Sequence, residues 1–269
     1  MTPAVLRQIG ADLQPIGLAE LVERAALQTR VDRKYVVPLA TVGDLITHLG
    51  SAARILEIDR QRSFRYESVY FDTPQLTSYL QTARRRRRRF KVRTRTYLDS
   101  SECWLEVKTR GARGATVKRR QPYAMHHRCE LAPGRRFVDE VLAQERFPVG
   151  ELVLLRPTLC TRYRRSTLFI PAAGIRVTID TDLTWHDDSR ELSLDGLAVI
   201  ETKSSSAASD VDRLLWRAGH RPARISKYAT GLAALRPQLP ATPWKRTLRR
   251  HFAADRAARP RSLTWPQAS

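Results

Sequence analysis

The stretch FKVRTRTYLDSSECWLEVKTRGARGATVKRR, residues 90–120, alternates polar and apolar side chains through three successive segments. Successive side chains of a β-strand point to opposite faces of the sheet. The segments therefore predict three strands with one charged face and one apolar face. Val92, Leu105 and Val107 fall on the apolar face. The charged face collects six cations and a carboxylate, namely Lys91, Arg93, Arg95, Lys108, Lys118, Arg120 and Glu106.

Strand-like runs of aromatic and β-branched residues recur on both sides of this stretch. They cover residues 30–38, 64–73, 156–171, 174–185 and 197–204. Helical apolar spacing covers residues 18–29, 41–52, 73–83, 135–146, 208–219 and 225–235. Thr41, Ser209 and Ser226 are the predicted N-caps. The elements show no regular β-α-β alternation, so they predict an α+β fold with at least eight mostly antiparallel strands and peripheral helices.

The net charge of +21, from 48 Lys and Arg against 27 Asp and Glu, predicts an anionic partner. Nucleic acid, anionic lipid and a phosphorylated small molecule all fit this charge. No apolar run approaches the roughly 18–20 residues of a membrane helix, and the first 21 residues lack the pattern of a signal peptide. We therefore expect a soluble, cytoplasmic protein. Its three cysteines are far apart in sequence, which predicts reduced thiols.

Lysine is rare in this chain, because only seven of the 48 basic residues are lysines. They are Lys34, Lys91, Lys108, Lys118, Lys203, Lys227 and Lys245. An ammonium group is a compact point charge, whereas a guanidinium is a planar fork. Where arginine is the default cation, a retained lysine indicates a position that requires the smaller group. Retention by chance is the alternative interpretation.

The recurring charged strand faces indicate a site for a phosphate chain. The chain contains no G-x-x-x-x-G-K-[ST], G-x-G-x-x-G, H-E-x-x-H or G-x-S-x-G motif. If the sheet closes, one face lines the interior, and cations gathered there repel one another unless an anion lies among them. Phosphate oxygens suit Arg and Lys donors, and interleaved carboxylates suit a divalent cation. A solvated outer face of a sandwich is the alternative for any single strand.

Eight segments, taken together and in order, resemble the VTC domain, which is the polyphosphate polymerase domain of the triphosphate tunnel metalloenzyme superfamily. They are DRKYVVP, ESVYFDTPQLTSY, FKVRTRTY, LEVKTRGARGATVKRR, RPTLCTRYRRSTL, GIRVTIDTDL, LAVIETKS and ISKYATGLAAL. The resemblance implies a closed antiparallel eight-stranded β-barrel whose lumen binds a triphosphate and a divalent metal. The tunnel domain would span residues 30–236, between a helical segment, 1–29, and a basic tail, 237–269, that we expect to be flexible.

The resemblance also implies roles for individual residues. The family's triphosphate-binding positions fall on Lys34, Arg93, Arg95, Lys108, Lys118, Arg165, Arg176 and Lys227. Among these, Lys227, Arg165 and Arg176 are the catalytic candidates. The family's metal-binding glutamate falls on Glu201, with Glu106 as a weaker candidate. The implied reaction is phosphoryl transfer from ATP to phosphate or to a growing polyphosphate end, with Mn²⁺ or Mg²⁺ as cofactor.

The chain departs from the wider superfamily at its first strand. An alternating E-x-E-x-K motif opens the superfamily's sheet, and the corresponding residues here are Arg30, Asp32 and Lys34. This departure speaks against a generic CYTH-type triphosphatase more than against a polymerase. Eukaryotic VTC proteins also carry an SPX domain and membrane helices, neither of which this sequence shows, so we do not expect coupling to membrane translocation.

Two other functions use the same residue pattern. A hydrolase of triphosphate or polyphosphate needs the same phosphate clamp as a polymerase. A non-catalytic protein would bind polyphosphate through the tunnel, or nucleic acid through the basic tail. Few aromatic residues interleave with the basic stretches, which argues against a stacking platform for single-stranded nucleic acid.

Overall fold

The computed structural model describes residues 10, 12–24, 31–111, 116–148, 154–204 and 207–252, and the backbone of 259–260. The strands in these ranges are β1 (Gln14–Ile16), β2 (Val31–Pro38), β3 (Arg54–Leu56), β4 (Phe64–Asp72), β5 (Arg89–Tyr97), β6 (Glu102–Arg110), β7 (Thr116–Tyr123), β8 (Arg156–Ile170), β9 (Ile175–His186), β10 (Arg190–Ser193), β11 (Leu197–Ser204) and β12 (Arg259–Pro260). The α-helices are α1 (Leu18–Arg24), α2 (Leu39–Leu49), α3 (Thr77–Ala83), α4 (Arg135–Gln144), α5 (Asp210–Arg217), α6 (Lys227–Leu235) and α7 (Lys245–His251).

Two of the three predicted helix caps are confirmed. Ser209 accepts a hydrogen bond from the Asp212 backbone N–H, and Ser226 caps α6 in the same way. Thr41 is not a cap, because α2 begins two residues earlier at Leu39. The Leu39 N–H donates to the carbonyl of Gly196 at 3.0 Å. That bond satisfies one of the free N–H groups at the helix start, which a side-chain cap would otherwise bind.

The first of two compact units comprises Met1–Arg65, Tyr163–Leu183 and Leu194–Arg224. Here β11 pairs with β2 on one side and with β9 on the other, both antiparallel. β3 pairs antiparallel with β8 and parallel with β1. Alternate residues of β2, β11 and β9, such as Tyr35, Ile200 and Ile179, are buried with apolar residues of α2 and α5. The opposite face of these three strands, here called the polar face, carries the charged residues Lys34, Arg176 and Glu201.

The second unit comprises Tyr66–Arg162, Thr184–Ser193 and Ile225–Ser269. β4, β5, β6 and β7 pair in succession, all antiparallel. Val92, Leu105 and Val107 of the apolar face are buried against Val138 and Leu142 of α4. The burial of β5 alternates at every residue, as the sequence pattern predicts. The helix-covered face and the charged face of this sheet are therefore both confirmed.

The fold is confirmed as an antiparallel sheet with peripheral helices, but the strand pairing does not show a closed barrel. Within the described residues, β2 is hydrogen-bonded to β11 alone and β7 to β6 alone. The outer edges of β2 and β7 thus have no paired strand, and the ladder of backbone hydrogen bonds remains open. In the same part of the chain no helix is long and apolar enough to cross a membrane. The three cysteines are free thiols, as predicted.

The predicted basic tail begins with a packed segment. The Trp244 side chain is buried, and its ring lies 5.8 Å from that of Tyr79 on α3. The Tyr79 hydroxyl donates to the Pro240 carbonyl at 3.0 Å. Residues Lys245–His251 of this segment form α7. Residues 253–258 and 261–269, where the rest of the flexible tail is predicted, lie outside the described side chains and elements.

Candidate functional site

The charged face of β5, β6 and β7 is a ladder of cations in the second unit. Pairing places Lys108 of β6 directly opposite Lys91 and Lys118. Two residues further along β6, Glu106 lies opposite an arginine on each neighbouring strand. Paired residues of antiparallel strands lie on the same side of the sheet. The basic face is the set Lys91, Arg93, Arg95, Glu106, Lys108, Lys118 and Arg120.

Glu106 is the single carboxylate of the basic face, and 3% of its side chain is exposed. Its Oε2 accepts a hydrogen bond from Arg93 Nε at 2.8 Å and lies 3.9 Å from Arg95 Nε. Its Oε1 lies 2.6 Å from Lys118 Nζ. Burial alone raises the pKa of Glu106, but the three cations outweigh burial and hold this pKa well below its usual range. The ionised carboxylate therefore holds three cations in fixed positions.

Lys118 occupies the exposed side of this cluster. Its side chain is 43% exposed, far more than that of Glu106. Burial lowers the pKa of Lys118, Glu106 opposes this effect, and the nearby guanidinium groups of Arg95 and Arg93 lower it further. The cations of the face thus repel one another, and an additional anion bound here would relieve that repulsion.

Lys227 is the first residue of α6, and hydrogen bonds hold the backbone on both sides of it. Trp185 Nε1 donates to the Lys227 carbonyl at 2.7 Å. The Ser226 hydroxyl accepts a hydrogen bond from the Ala229 N–H at 3.2 Å and another from Lys91 Nζ at 3.1 Å. The start of α6 is therefore connected to the basic face through Lys91.

A second connection runs through two stacked tyrosines. Arg93 Nη1 donates to the Tyr70 hydroxyl at 3.1 Å, and the Tyr70 ring stacks on Tyr228 of α6 at a centroid distance of 5.0 Å. The Tyr228 hydroxyl donates to the buried carboxylate of Asp72. That carboxylate also accepts three backbone N–H bonds at the turn into α3. Because Tyr228 follows Lys227 directly, the position of Lys227 is tied to that of Arg93.

A second charged group lies on the polar face of β2, β11 and β9 in the first unit. Pairing places Glu201 opposite Lys34, and it places Lys203 opposite both Asp32 and Arg176. Unlike the basic face, this group carries several carboxylates. The mixed-charge cluster is the set Asp32, Lys34, Arg165, Arg176, Asp180, Glu201 and Lys203.

Lys203 is the central cation of the mixed-charge cluster. Its Nζ forms an ion pair with Glu201 and lies 3.8 Å from Asp32 Oδ2. Lys34 Nζ lies 3.8 Å from the other Glu201 oxygen. Burial lowers the pKa of Lys203 to about 7, against the effect of Asp32, and the neighbouring cations lower it further. The Glu201 carboxylate therefore lies between two lysines.

Arg165 is held by a two-point ion pair. Its Nε lies 2.6 Å from Asp180 Oδ1, and its Nη2 donates to Asp180 Oδ2 at 2.9 Å. Asp180 itself is buried. A bidentate pair of this kind fixes the plane of the guanidinium as well as its position.

The predicted site residues fall into two groups and one helix start. The basic face contains Arg93, Arg95, Lys108, Lys118 and Glu106, and the mixed-charge cluster contains Lys34, Arg165, Arg176 and Glu201. Lys227 begins α6. Sequence reasoning placed Lys91 on the charged face but gave it no binding role, and it missed Asp180. Asp180 lies four positions after Arg176 and in phase with it on β9, so the period of the strand was the signal that could have found it.

The carboxylates fit a metal ion in one restricted way. Within the described ranges, no three His, Cys, Asp or Glu side chains are grouped closely enough to form a metal cage. Mg²⁺, however, is commonly held by one or two carboxylates together with substrate phosphates and water. Glu201 fits that mode, since it is a partly exposed carboxylate on a charged face. Glu106 fits it less well, because only 3% of its side chain is exposed, against 15% for Glu201.

A family model described as VTC domain matches residues 29–236. This range contains all ten predicted site residues. No curated protein matches the chain. The matched range also contains all eight resembling segments.

Several solved structures are similar to the chain at low sequence identity. A candidate adenylate cyclase from Bacillus halodurans is 14% identical, with a TM-score of 0.48, over 75% of this chain and 96% of that one. A candidate adenylyl cyclase from Hippeastrum, reported to have a dominant triphosphatase activity, is 14% identical with a TM-score of 0.44, over 76% and 95%. A candidate adenylate cyclase from Vibrio parahaemolyticus is 16% identical with a TM-score of 0.39, over 78% and 88%.

Proposed function

The chain belongs to the VTC domain family, and we propose that it transfers phosphoryl groups from ATP in a metal-dependent reaction that builds polyphosphate. The observation that carries the proposal is the basic face, where six cations are arranged around one buried, ionised carboxylate. Such an array suits an anion with many oxygens, because each phosphate presents several acceptors to Arg and Lys donors. The six cations outnumber the one carboxylate of this set, and a face of this charge is complementary to a polyanion.

In the proposed reaction the acceptor is phosphate or the end of a polyphosphate chain. One of its oxygens attacks the γ-phosphorus of ATP, the bond from that phosphorus to the bridging oxygen breaks, and ADP leaves. Catalysis of this transfer is mostly positioning and charge stabilisation, so no side-chain nucleophile is required. Donors already fixed in place before the reaction contribute most, because they need not reorganise during it.

The proposal assigns phosphate binding to cations of both charged groups. Arg93 and Arg95, ordered by Glu106, would bind non-bridging oxygens, and Arg165 and Arg176 would do the same from the mixed-charge cluster. Lys34, Lys108 and Lys118 add compact charges along the phosphate chain. Lys227 would neutralise charge on the attacking or leaving oxygen, and the hydrogen bonds from Trp185 and Tyr228 hold its helix turn in place.

Glu201 would hold a Mn²⁺ or Mg²⁺ ion together with phosphate oxygens and water. When bound, the ion supplies positive charge next to the phosphate oxygens on which negative charge develops. Lys34 and Lys203 contact the same carboxylate, so they would be displaced from it or share it. The proposal also includes the closed barrel that the resemblance implies, with the polar strand faces lining its tunnel.

The test is a product assay with purified protein, ATP and either Mn²⁺ or Mg²⁺. The products are resolved on a gel that separates free phosphate, ADP and polyphosphate of different lengths. The proposal predicts ADP and long-chain polyphosphate in equal phosphoryl amounts, and no reaction after chelation of the metal. Release of free phosphate without chains would identify a hydrolase instead. Binding without turnover under all conditions would identify a polyphosphate or nucleic-acid binding protein.

A further inference from the structure

We infer that the six-arginine run that leads into β5 is a binding site for the polyphosphate chain beyond the triphosphate. The inference rests on the proposed function, because it concerns the substrate and product of the same basic face. The run consists of Arg84–Arg88 in the turn after α3 and Arg89 at the start of β5. Runs of like charge are commonly solvated and irregular. In this chain the run has a defined structure.

The turn is continuous with the basic face. Arg89 has the same strand phase as Lys91 and Arg93, and it pairs with Arg110 of β6. This pair forms the next row after Lys91 and Lys108, at the end of the sheet where the turn enters. Rows on one face of a sheet follow one another at about 7 Å, which is two strand residues. The basic face is thus extended by a further row of two arginines and then by the turn.

Backbone hydrogen bonds fix the conformation of the turn. The Arg84 N–H donates to the Leu80 carbonyl at 2.9 Å, and the Arg85 N–H donates to that of Thr82 at 3.1 Å. The Arg86 N–H donates to the Gln81 carbonyl at 2.9 Å. This arrangement closes the C-terminal end of α3. Its arginines are therefore presented on an ordered backbone, which reduces the entropy lost when a ligand binds.

Arg85 adopts a backbone conformation that usually belongs to glycine. Its φ angle is 53°, in the left-handed region. Glycine or asparagine is the usual residue at this position after a helix, and other residues are disfavoured there by contact of Cβ with the backbone. Arginine at such a position carries a backbone cost that glycine would avoid.

The turn arginines are exposed and lack acidic partners. Arg84, Arg85, Arg86 and Arg87 are all exposed, and none of them forms an ion pair with a carboxylate of the described residues. Arg88 is engaged differently, since its Nη2 donates to the Glu145 and Arg146 carbonyls. Arg89 Nη1 donates to the Arg86 carbonyl at 2.9 Å, which holds the turn against the strand. Four adjacent cations are thus available to an external anion.

The chemistry of the turn favours a linear polyphosphate over nucleic acid. Single-stranded nucleic acid binds through stacking on exposed aromatic rings as well as through charge. The aromatic rings next to the turn, Phe90 and Phe147, are buried. The turn therefore offers cations without a stacking surface. A phosphate chain that extends from the basic face would reach the turn, and it has no nucleobases that require a stacking surface.

The experiment compares two variants that lose the same number of cations. One carries Arg84→Ala, Arg85→Gly, Arg86→Ala and Arg87→Ala, where glycine suits the left-handed position. The control carries Lys245→Ala, Arg246→Ala, Arg249→Ala and Arg250→Ala on α7, whose four cations are also exposed. Binding of tripolyphosphate, of long-chain polyphosphate and of a single-stranded oligonucleotide is measured by calorimetry at two salt concentrations. If circular dichroism shows that the quadruple turn variant is partly unfolded, the double variant Arg84→Ala with Arg87→Ala replaces it.

We expect the turn variant to bind long-chain polyphosphate at least about tenfold more weakly, with a shallower salt dependence, because fewer counterions are exchanged. Tripolyphosphate binding should be unchanged, and the α7 control should resemble wild type for both ligands. Equal losses in the two variants would overturn the inference, because net charge would then explain them. Loss of tripolyphosphate binding in the turn variant would also overturn the inference. So would binding of the oligonucleotide by wild type as tightly as binding of long-chain polyphosphate.

Failure of the proposed function is separable from failure of this inference. The binding measurements need no turnover, so they test the turn even if the wild type makes no polyphosphate. If the wild type does make chains, the turn variant should start the reaction at the wild-type rate but release shorter products. Chains of wild-type length from the turn variant would contradict the inference while leaving the polymerase activity intact.

Discussion

The basic face and the mixed-charge cluster are both polar sides of antiparallel sheets, yet their charge balance differs. The basic face has six cations around Glu106, whereas the mixed-charge cluster has four cations and three carboxylates. In the first, the carboxylate is buried and contacts cations with both oxygens. In the second, Glu201 is partly exposed and lies between lysines. The same strand period thus produces two different chemical environments.

We infer from this difference that the two charged groups bind different ligands. Surplus cations favour phosphate oxygens, and a carboxylate held among them serves to order the cations rather than to bind a metal. A partly exposed carboxylate such as Glu201 can bind a divalent cation, which takes its other ligands from phosphate and water. Two glutamates in equivalent-looking strand positions, Glu106 and Glu201, are therefore expected to respond differently to the same substitution.

The largest effect is expected for Glu201→Gln. The amide keeps the shape of the side chain but removes the charge that we propose binds the metal, so turnover should fall by at least about 100-fold. Circular dichroism should show an intact fold, and tripolyphosphate should still bind. Metal-dependent initial rates with ATP are the measurement. Full activity in this variant would remove Glu201 from the metal site.

Glu106→Gln should act on stability first. Removal of a buried charge that holds three cations should lower the free energy of unfolding by about 2 kcal/mol, as measured by urea denaturation at neutral pH. Because folding lowers the pKa of Glu106, its contribution is complete above the unfolded value of 4.5. The contribution is lost as the pH falls towards the folded pKa.

The pH dependence supplies the control for that prediction. Below about pH 5 the free energy of unfolding should fall more steeply with pH in wild type than in Glu106→Gln. The difference in stability between the two proteins should therefore shrink in acid. A constant difference at all pH values would mean that the variant is destabilised by altered packing rather than by loss of the ion pairs.

A smaller effect on turnover is expected for substitutions of the lysines of the basic face. Arginine is longer and forked, so Lys108→Arg or Lys118→Arg should shift the phosphate chain and lower turnover about tenfold, equal to about 1.4 kcal/mol of barrier. Lys245→Arg on α7 is the matched control and should change nothing. Steady-state rates with ATP are the measurement. Wild-type rates in both face variants would show that these lysines contribute only positive charge, which arginine supplies equally well.

The smallest effect is expected for Tyr228→Phe. The change removes one hydrogen bond to Asp72 but leaves its three backbone donors. The free energy of unfolding should fall by about 1 kcal/mol. Turnover should fall about fivefold, because the first turn of α6 and Lys227 are held less firmly. An unchanged rate together with reduced stability would show that Tyr228 supports the fold without positioning Lys227.

Much of this arrangement is predictable from period-two alternation. The residues of β5 alternate in burial as the sequence indicates, and the pairing of β5, β6 and β7 then places the predicted cations on one face. The same holds for Lys34, Arg176 and Glu201 on β2, β9 and β11. Alternation is readable because each of these strands has one face against a helix-covered core and one face that is polar.

Other features depend on contacts that no local pattern encodes. Which cations contact Glu106 follows from strand register, and the stacking of Tyr70 on Tyr228 joins residues far apart in the chain. The left-handed conformation of Arg85 runs against its residue type. Composition also predicts a flexible tail, yet Trp244 is buried against Tyr79. The Trp244 ring and the hydrogen bond from Tyr79 to the Pro240 carbonyl attach a basic segment that lacks periodicity.

Binding of tripolyphosphate with and without a metal ion tests most directly whether the two charged groups bind different ligands. Wild type, Glu201→Gln and Glu106→Gln are each titrated with tripolyphosphate by calorimetry, with and without Mn²⁺. We expect Mn²⁺ to tighten binding in wild type and in Glu106→Gln, and to leave binding by Glu201→Gln unchanged. Tightening in Glu201→Gln equal to that in wild type, or its loss in Glu106→Gln alone, would contradict the assignment of metal binding to the mixed-charge cluster and of phosphate binding to the basic face.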